Sequence, residues 1–498
     1  MAVRTRDGRG EGVIPETPVI PGFHPDPSVC RAGDTYFLVT SSFEYSPGVP
    51  IFSSSDLRRW TQIGHVLDRP EQLENVNARP SGGIYAPTLR HHDGRFWMIT
   101  TNVTNGPGQL LVTAEDPTGA WSDPLRIPEA HGIDPDLAWD DDGRCWLSWS
   151  GELPAGQQGI LQAQLDPVTG LLLTEPRVIW RGTGGQFPEG PHLHRKDGYW
   201  YLVIAEGGTE RGHAVTVARA SAPNGPFEPC PSNPILTARG TDCPTQSTGH
   251  ADFVQLADGS WAVLFLGVRP RGSTPAWHIL GRETFAARLS WYDDWPRVDA
   301  ALEPEPGDVF VEALTAEGIP LSFVSPSGLP ADILHHEGGQ WQLSGFVGRW
   351  QEHLFTSTRA KIAAGAGLEL RVDPDHRVTV QVGPQSVRAV ATIGGFPIEL
   401  GEVAADGAAT IELRTEPPPE LEGTPQHGPD VVVARVLDGR AWRELGRIDG
   451  RYFSTEVAGG FTGRLIGLVA EGRAAHIYDL VYRGSDSYSA LASEGGLG

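Results

Sequence analysis

A short unit recurs five times in the first part of this chain. Its copies begin Asp26-Pro-Ser-Val, Tyr85-Ala-Pro-Thr-Leu, Asp134-Pro-Asp-Leu, Glu189-Gly-Pro-His-Leu and His250-Ala-Asp-Phe-Val. Each start is followed by a turn glycine (Gly33, Gly94, Gly143, Gly198, Gly259) and then by an apolar, aromatic-rich strand such as Tyr199-Trp-Tyr-Leu-Val. The Asp-Gly pairs in several of these turns suit tight hairpins, which need a positive φ. A repeat of roughly 50–60 residues holding four strands is the pattern of a β-propeller. Five copies predict five blades. Stacked sandwiches would not require the turn glycine at a near-fixed offset from a polar start.

The chain has 498 residues, too many for one ordinary core, so a second domain is expected. The expected organisation is a flexible tail over 1–17, the propeller over 18–310 and a C-terminal domain over 326–498, with a boundary over 296–325 around Leu302-Glu-Pro-Glu-Pro-Gly. The C-terminal part is again strand-like, in Leu368-Glu-Leu-Arg-Val, Val378-Thr-Val-Gln-Val and Val431-Val-Val-Ala-Arg-Val. Alternation without repeats predicts a β-sandwich of jelly-roll or concanavalin-like type. Pro417-Pro-Pro-Glu-Leu-Glu-Gly-Thr-Pro reads as a surface loop. The fold class is therefore all-β.

A formal charge of −23 argues against nucleic acid or an anionic membrane as partner, because phosphates need basic patches. The sequence is compatible with a homo-oligomer and does not specify one. Cys30, Cys145, Cys230 and Cys243 show no zinc spacing. Cys230 and Cys243 could pair, but four free thiols are the simpler reading. The N-terminal residues carry no apolar stretch, and no apolar run approaches spanning length. A cytoplasmic protein is expected.

The inner strands of a propeller converge on one axis. Their starts would gather Asp26, Asp134 and Glu189 into one pocket. Asp or Glu beside Pro or Gly is ordinarily a turn residue, and any one of the three alone would be read so. Three at equivalent places in different repeats point to chemistry instead. A carboxylic acid and a carboxylate flanking one bond are the equipment of glycoside hydrolysis: inverting at a separation of roughly 6.5–9.5 Å, retaining at about 5–5.5 Å. Glu189 is the better candidate for the acid, since a nearby carboxylate disfavours its ionisation. The prolines around Asp26 suit a fixed base.

Pro18-Val-Ile-Pro-Gly-Phe-His-Pro-Asp-Pro-Ser, Ser41-Ser-Phe-Glu-Tyr-Ser-Pro-Gly-Val-Pro-Ile, Gly132-Ile-Asp-Pro-Asp-Leu and Glu189-Gly-Pro-His-Leu resemble glycoside hydrolase family 43, most closely its two-domain β-xylosidases. The resemblance continues at Gly345-Phe-Val-Gly-Arg-Trp-Gln and Gly460-Phe-Thr-Gly-Arg-Leu-Ile-Gly. It implies a five-bladed propeller and an inverting mechanism with Asp26 as general base, Glu189 as general acid and Asp134 tuning and orienting the acid. It further implies that Arg282 binds sugar hydroxyls, that Phe43 and Tyr85 wall the pocket and that Thr209 offers a hydroxyl. Phe43 and Tyr85 read equally well as core aromatics. His250 is placed near the axis among the substrate-binding residues, either as a buried hydrogen-bonded histidine or beside a calcium ion; no cofactor is required. The segment from Phe323 lacks the usual opening of the second domain, and Trp350 stands where arginine is common.

The resemblance implies an exo-acting inverting enzyme that removes xylose from the non-reducing end of β-1,4-xylo-oligosaccharides. α-L-Arabinofuranosidase activity, alone or in addition, is the alternative. A non-catalytic sugar-binding propeller would have lost at least one carboxylate, and all three are present.

Overall fold

The Asp-Gly turns close hairpins as their chemistry requires. At Asp93-Gly94 both residues take positive φ, 49° and 72°, which joins Thr88–His92 to Arg95–Thr100 through a two-residue loop. The computed structural model describes residues 14–73, 78–154, 156–305, 307–419 and 427–494. Two units divide it. The first comprises the chain to Ile20, His24–Val268 and Glu283–Pro304; the second comprises Pro21–Phe23, Arg269–Arg282 and the chain from Glu305.

In the first unit each repeat forms one antiparallel sheet with its strands in chain order, giving five blades. The first strands are Ser28–Ala32, Thr88–His92, Ile133–Trp139, Glu189–Lys196 and Gln246–Gln255. They touch one another in a closed ring, the fifth returning to the first. The side-chain period of a strand explains how blades stack. In Tyr199–Glu206, Trp200, Leu202 and Ile204 pack towards the third blade, with Ile160 and Trp180. Tyr201 and Val203 pack towards the fifth, with Phe253, Val263 and Phe265. The fifth blade repeats the pattern: Ala262 and Leu264 meet Val29, Leu38 and Phe52 of the first, so the apolar layers also close.

The sequence placed 1–17 in a flexible tail. Residues 1–13 lie outside the described residues. The remainder is held: the Thr245 hydroxyl donates to the Pro15 carbonyl at 2.6 Å, the Glu16 amide donates to Glu303 at 2.7 Å, and Ile14 packs on the core between blades four and five. Around the expected boundary, Trp295–Ala301 is the fourth strand of blade five, whereas Phe310–Ala313 already pairs with Val481–Gly484 in the second unit.

The second unit is a β-sandwich. One long strand, Leu465–Ser485, pairs in turn with Gln340–Trp350, Phe355–Ala363 and Ala366–Asp373. The sheet folds over itself so that Val378, Val380 and Val387 share a core with Ile411, Leu413, Val432 and Ala434. Phe323–Val324 pairs with Gly348–Arg349, and the ring of Trp350 packs on Phe23 at 4.5 Å. Most of the loop begun by Pro417 lies outside the described residues.

The axis of the propeller holds a buried polar hub. The Arg90 guanidinium donates to Asp136 at 2.6 Å, to Asp252 at 2.8 Å and to His192 Nδ1 at 2.9 Å. Arginine only donates, so His192 Nδ1 accepts and its proton sits on Nε2. Asp252 also meets His194 Nε2 at 2.9 Å and accepts from the Ser28 hydroxyl at 2.8 Å. Ser28, Arg90, Asp136, the two histidines and Asp252 come from blades one to five in order. Both aspartates are fully buried. Burial alone would raise the Asp252 pKa, but the Arg90 charge and the hydrogen bond from His194 outweigh it and hold the carboxyl well below its ordinary value. Burial lowers the His194 pKa, against the opposing pull of Asp252.

Arg90→Met should destabilise the propeller by about 3–5 kcal/mol, because it leaves two carboxylates buried without their cation. Urea unfolding followed by tryptophan fluorescence measures this, and a loss under about 1 kcal/mol would count against a structural hub. The pH dependence has a definite sign. The unfolded chain protonates His194 near 6.5 and Asp252 near 3.8, while the folded chain does so at lower pH in both cases. Stability is therefore full above 6.5, falls as pH drops below that value and falls again below 3.8. Buried His65 and His353 are also held below the ordinary histidine value and add to the upper step, so urea midpoints across this range should show that step reduced, not abolished, in His194→Gln.

Candidate active site

At one end of the ring the inner strands depart from regular geometry. Asp26 (φ 55°), Phe43 (φ 50°), Asp134 (φ 57°) and His250 (φ 45°) all adopt the left-handed region, which costs a non-glycine residue about 1–2 kcal/mol. Bulges interrupt the ladders at Glu189/His192, at Ser148/Ser150 opposite Ile133–Asp136, and on either side of Gly249. Such bulges re-aim side chains, and strain concentrated in one place marks a site held by its surroundings. The fifth repeat was expected to open at His250. Its strand instead begins at Gln246, and His250 reaches the same end of the axis through the bulges.

A chain of contacts joins Asp26, Asp134 and the backbone next to Glu189 from three blades. Asp26 is buried; its Oδ2 accepts from the Ser41 hydroxyl at 2.5 Å and its Oδ1 lies 3.5 Å from His250 Nδ1. The other side of the His250 ring faces Gly190. A Cβ at Gly190 would lie 2.7 Å from His250 Nε2, and φ there is +57°, so only glycine fits. The Gly190 amide donates to Asp134 Oδ2 at 3.1 Å. Gly190 directly follows Glu189, which is half-buried at the head of its strand. Asp134 therefore holds the backbone that carries Glu189, and His250 spans from that backbone to Asp26.

The other expected site residues fall as follows. Tyr85 is half-buried; its hydroxyl donates to the Ser81 carbonyl at 3.1 Å and its ring packs on the buried Phe43 at 5.1 Å. Thr209 is half-buried in the turn after Tyr199–Glu206. Arg282 is buried and groups with the second unit, its guanidinium carbon 5.7 Å from the Phe461 ring centre. Among the described residues no cluster of three or more His, Cys, Asp or Glu could hold a metal ion. Calcium takes six to eight oxygens, waters included, and of the protein groups here Asp26 offers a carboxylate beside His250.

Sequence reasoning missed Ser41, which anchors Asp26, and Gly190, which joins His250 to Asp134. It also missed Glu206, a buried carboxylate that accepts from Thr183 and Gly185 in the loop before Glu189. Ser41 and Gly190 stand inside quoted motifs, but nothing in a motif says which neighbour a hydroxyl will meet. Gly190→Ala should fold, with an unchanged circular dichroism spectrum, and lose activity by about 100-fold or more, because its methyl displaces the His250 ring. Activity within about threefold of the parent would show that this junction does not position the site.

Residues 15–296 match the pattern of Glycosyl hydrolases family 43. A xylosidase/arabinosidase of Butyrivibrio fibrisolvens is 46% identical over 299 residues, spanning 58% of this chain and 57% of that protein. A non-reducing end alpha-L-arabinofuranosidase of Bacteroides ovatus is 35% identical over 91% of each chain. The crystal structure of a xylan beta-1,4-xylosidase from Bacillus halodurans superposes with a TM-score of 0.83 at 29% identity, covering 94% of this chain and 99% of that one. Five blades with their carboxylates at one end of the axis, and a match spanning those blades, lead to one assignment: this chain is a glycoside hydrolase of family 43.

Proposed function

We propose that this enzyme is an exo-acting, inverting hydrolase that releases xylose from the non-reducing end of β-1,4-xylo-oligosaccharides. The observation that supports the reading is the chain of contacts from Asp26 through His250 and Gly190 to Asp134, which joins Asp26, Asp134 and the backbone next to Glu189 from separate blades. Glu189 gives its proton to the glycosidic oxygen as the bond to the anomeric carbon breaks. Asp26 takes a proton from the attacking water, whose oxygen bonds to that carbon from the opposite face. After turnover Asp26 is protonated and Glu189 ionised, and solvent exchange restores both. Asp134 keeps Glu189 in place through the Gly190 amide. Substrate is a neutral oligosaccharide, in keeping with an acidic chain. Four free cysteines support a cytoplasmic location, where short imported oligomers would be the substrate.

A second reading is α-L-arabinofuranosidase activity. The Bacteroides ovatus relative, matched along nearly the whole chain, carries that name.

Proton NMR of xylobiose hydrolysis separates these readings. Early α-xylose in excess of the mutarotation equilibrium supports xylosidase activity with inversion; early excess of β-xylose overturns the role of Asp26. Arabinose released from arabinofuranosyl-xylotriose, with xylobiose untouched, moves the assignment to the second reading. Glu189→Ala should lose about 10²–10⁴-fold on xylobiose but much less on aryl glycosides with good leaving groups, which need no protonation. Asp26→Ala should lose on both.

A further inference from the structure

We propose that Phe187 is the platform on which the departing part of the substrate stacks, an inference that rests on the glycosidase reading above. Phe187 is 65% exposed. A single exposed aromatic carries no message by itself, since lone surface hydrophobics are common. Its backbone does carry one: φ is 51°, the left-handed region, a genuine outlier for a bulky residue.

The surroundings hold that conformation from both sides. The carbonyl of Gln186 accepts from the Gly207 amide at 2.7 Å, and the carbonyl of Pro188 accepts from the Ser150 hydroxyl at 2.9 Å. Behind the loop, buried Glu206 accepts from the Thr183 amide and the Gly185 amide, each at 2.9 Å, from the Thr183 hydroxyl at 2.9 Å and from the Thr216 hydroxyl at 2.6 Å. A buried carboxylate with four donors is an expensive way to shape a surface loop. What it fixes is an aromatic ring turned to solvent two residues before the general acid. On its other side the ring borders Gly208, where a Cβ would stand 3.4 Å away, next to Thr209.

The direction of the chemistry names the occupant. Glu189 protonates the oxygen that leaves with the second sugar, so that sugar lies on the Glu189 side of the broken bond. A pyranose presents a face of C–H groups, and an aromatic ring is the surface that such a face covers. Phe187 would thus bind the leaving sugar and set the preference for oligosaccharides over substrates with small leaving groups.

The test compares xylobiose with β-xylosyl fluoride, whose leaving atom is too small to reach the ring. In Phe187→Ala the ratio of kcat/KM for xylobiose to that for the fluoride should fall about tenfold. In Phe187→Trp it should stay within about threefold of the parent. An unchanged ratio in the alanine variant, or equal loss on both substrates, overturns the proposal. If the parent enzyme cleaves neither xyloside, the xylosidase reading has failed. The same ratio is then read with arabinofuranosyl-xylotriose against α-L-arabinofuranosyl fluoride, where a constant ratio again overturns the platform. The side chain is exposed, so both variants should fold, and circular dichroism checks that they do.

Discussion

Arg90 is the interaction on which the propeller depends. Five sheets that touch only through apolar faces have no reason to adopt a single register around their axis, because hydrophobic burial is non-directional. A guanidinium has fixed donor directions. By reaching Asp136, Asp252 and His192 at once, with Asp252 also bound to Ser28, it gives every inner strand a defined height. The backbone joins in: the Val29 amide donates to Asp252 at 3.0 Å and the Leu193 amide donates to Asp136 at 2.9 Å. Such a hub is weak evidence for net stability, since desolvation offsets much of the attraction. Its strength is geometric.

The hub and the site are two storeys of one repeat. Asp26 and Ser28, Asp134 and Asp136, and His250 and Asp252 stand two residues apart on their strands, as Glu189 and His192 stand three apart across a bulge. Left-handed φ at Asp26, Asp134 and His250, and the bulge between Gly249 and Asp252, break the regular alternation between the members of each pair. The upper member reaches the mouth and the lower member enters the hub. The rings of His192 and His250, 6.5 Å apart, are where the storeys meet.

This explains how much could be read in advance. The unit starts and turn glycines predict the blades because each hairpin solves the same local problem, and local problems leave local signals. The three carboxylates are legible for the same reason, as one polar position seen in several copies. Arg90 was not read, although it stands in the second repeat beside Thr88 and Leu89, because its partners lie in other blades and only closure of the ring brings them together. The final residues of the expected tail were misjudged on similar grounds. Ile14, Pro15 and Glu16 look unstructured locally and are tied down by Thr245 and Glu303, far away in sequence. Arg282 directly precedes a blade strand in sequence, yet it groups with the sandwich unit, a distribution that no stretch of sequence around it announces.

The strain at the mouth follows from the order beneath it. Asp26, Phe43, Asp134, Phe187 and His250 all sit at positive φ, at about 1–2 kcal/mol apiece. A loosely packed ring would relax this by letting inner strands slide, since a small shift in height lets each backbone return to the extended region. The hub forbids that slide. Held at one height, the strand starts must turn sharply to present carboxylates inward, and glycine at 190 lets His250 approach the backbone closely enough to reach Asp26. Strain that would otherwise disperse through the fold is thereby kept where an acid and a base must hold a fixed separation. The buried arginine thus stands apart from the strained mouth and ties together the strands that lead into it.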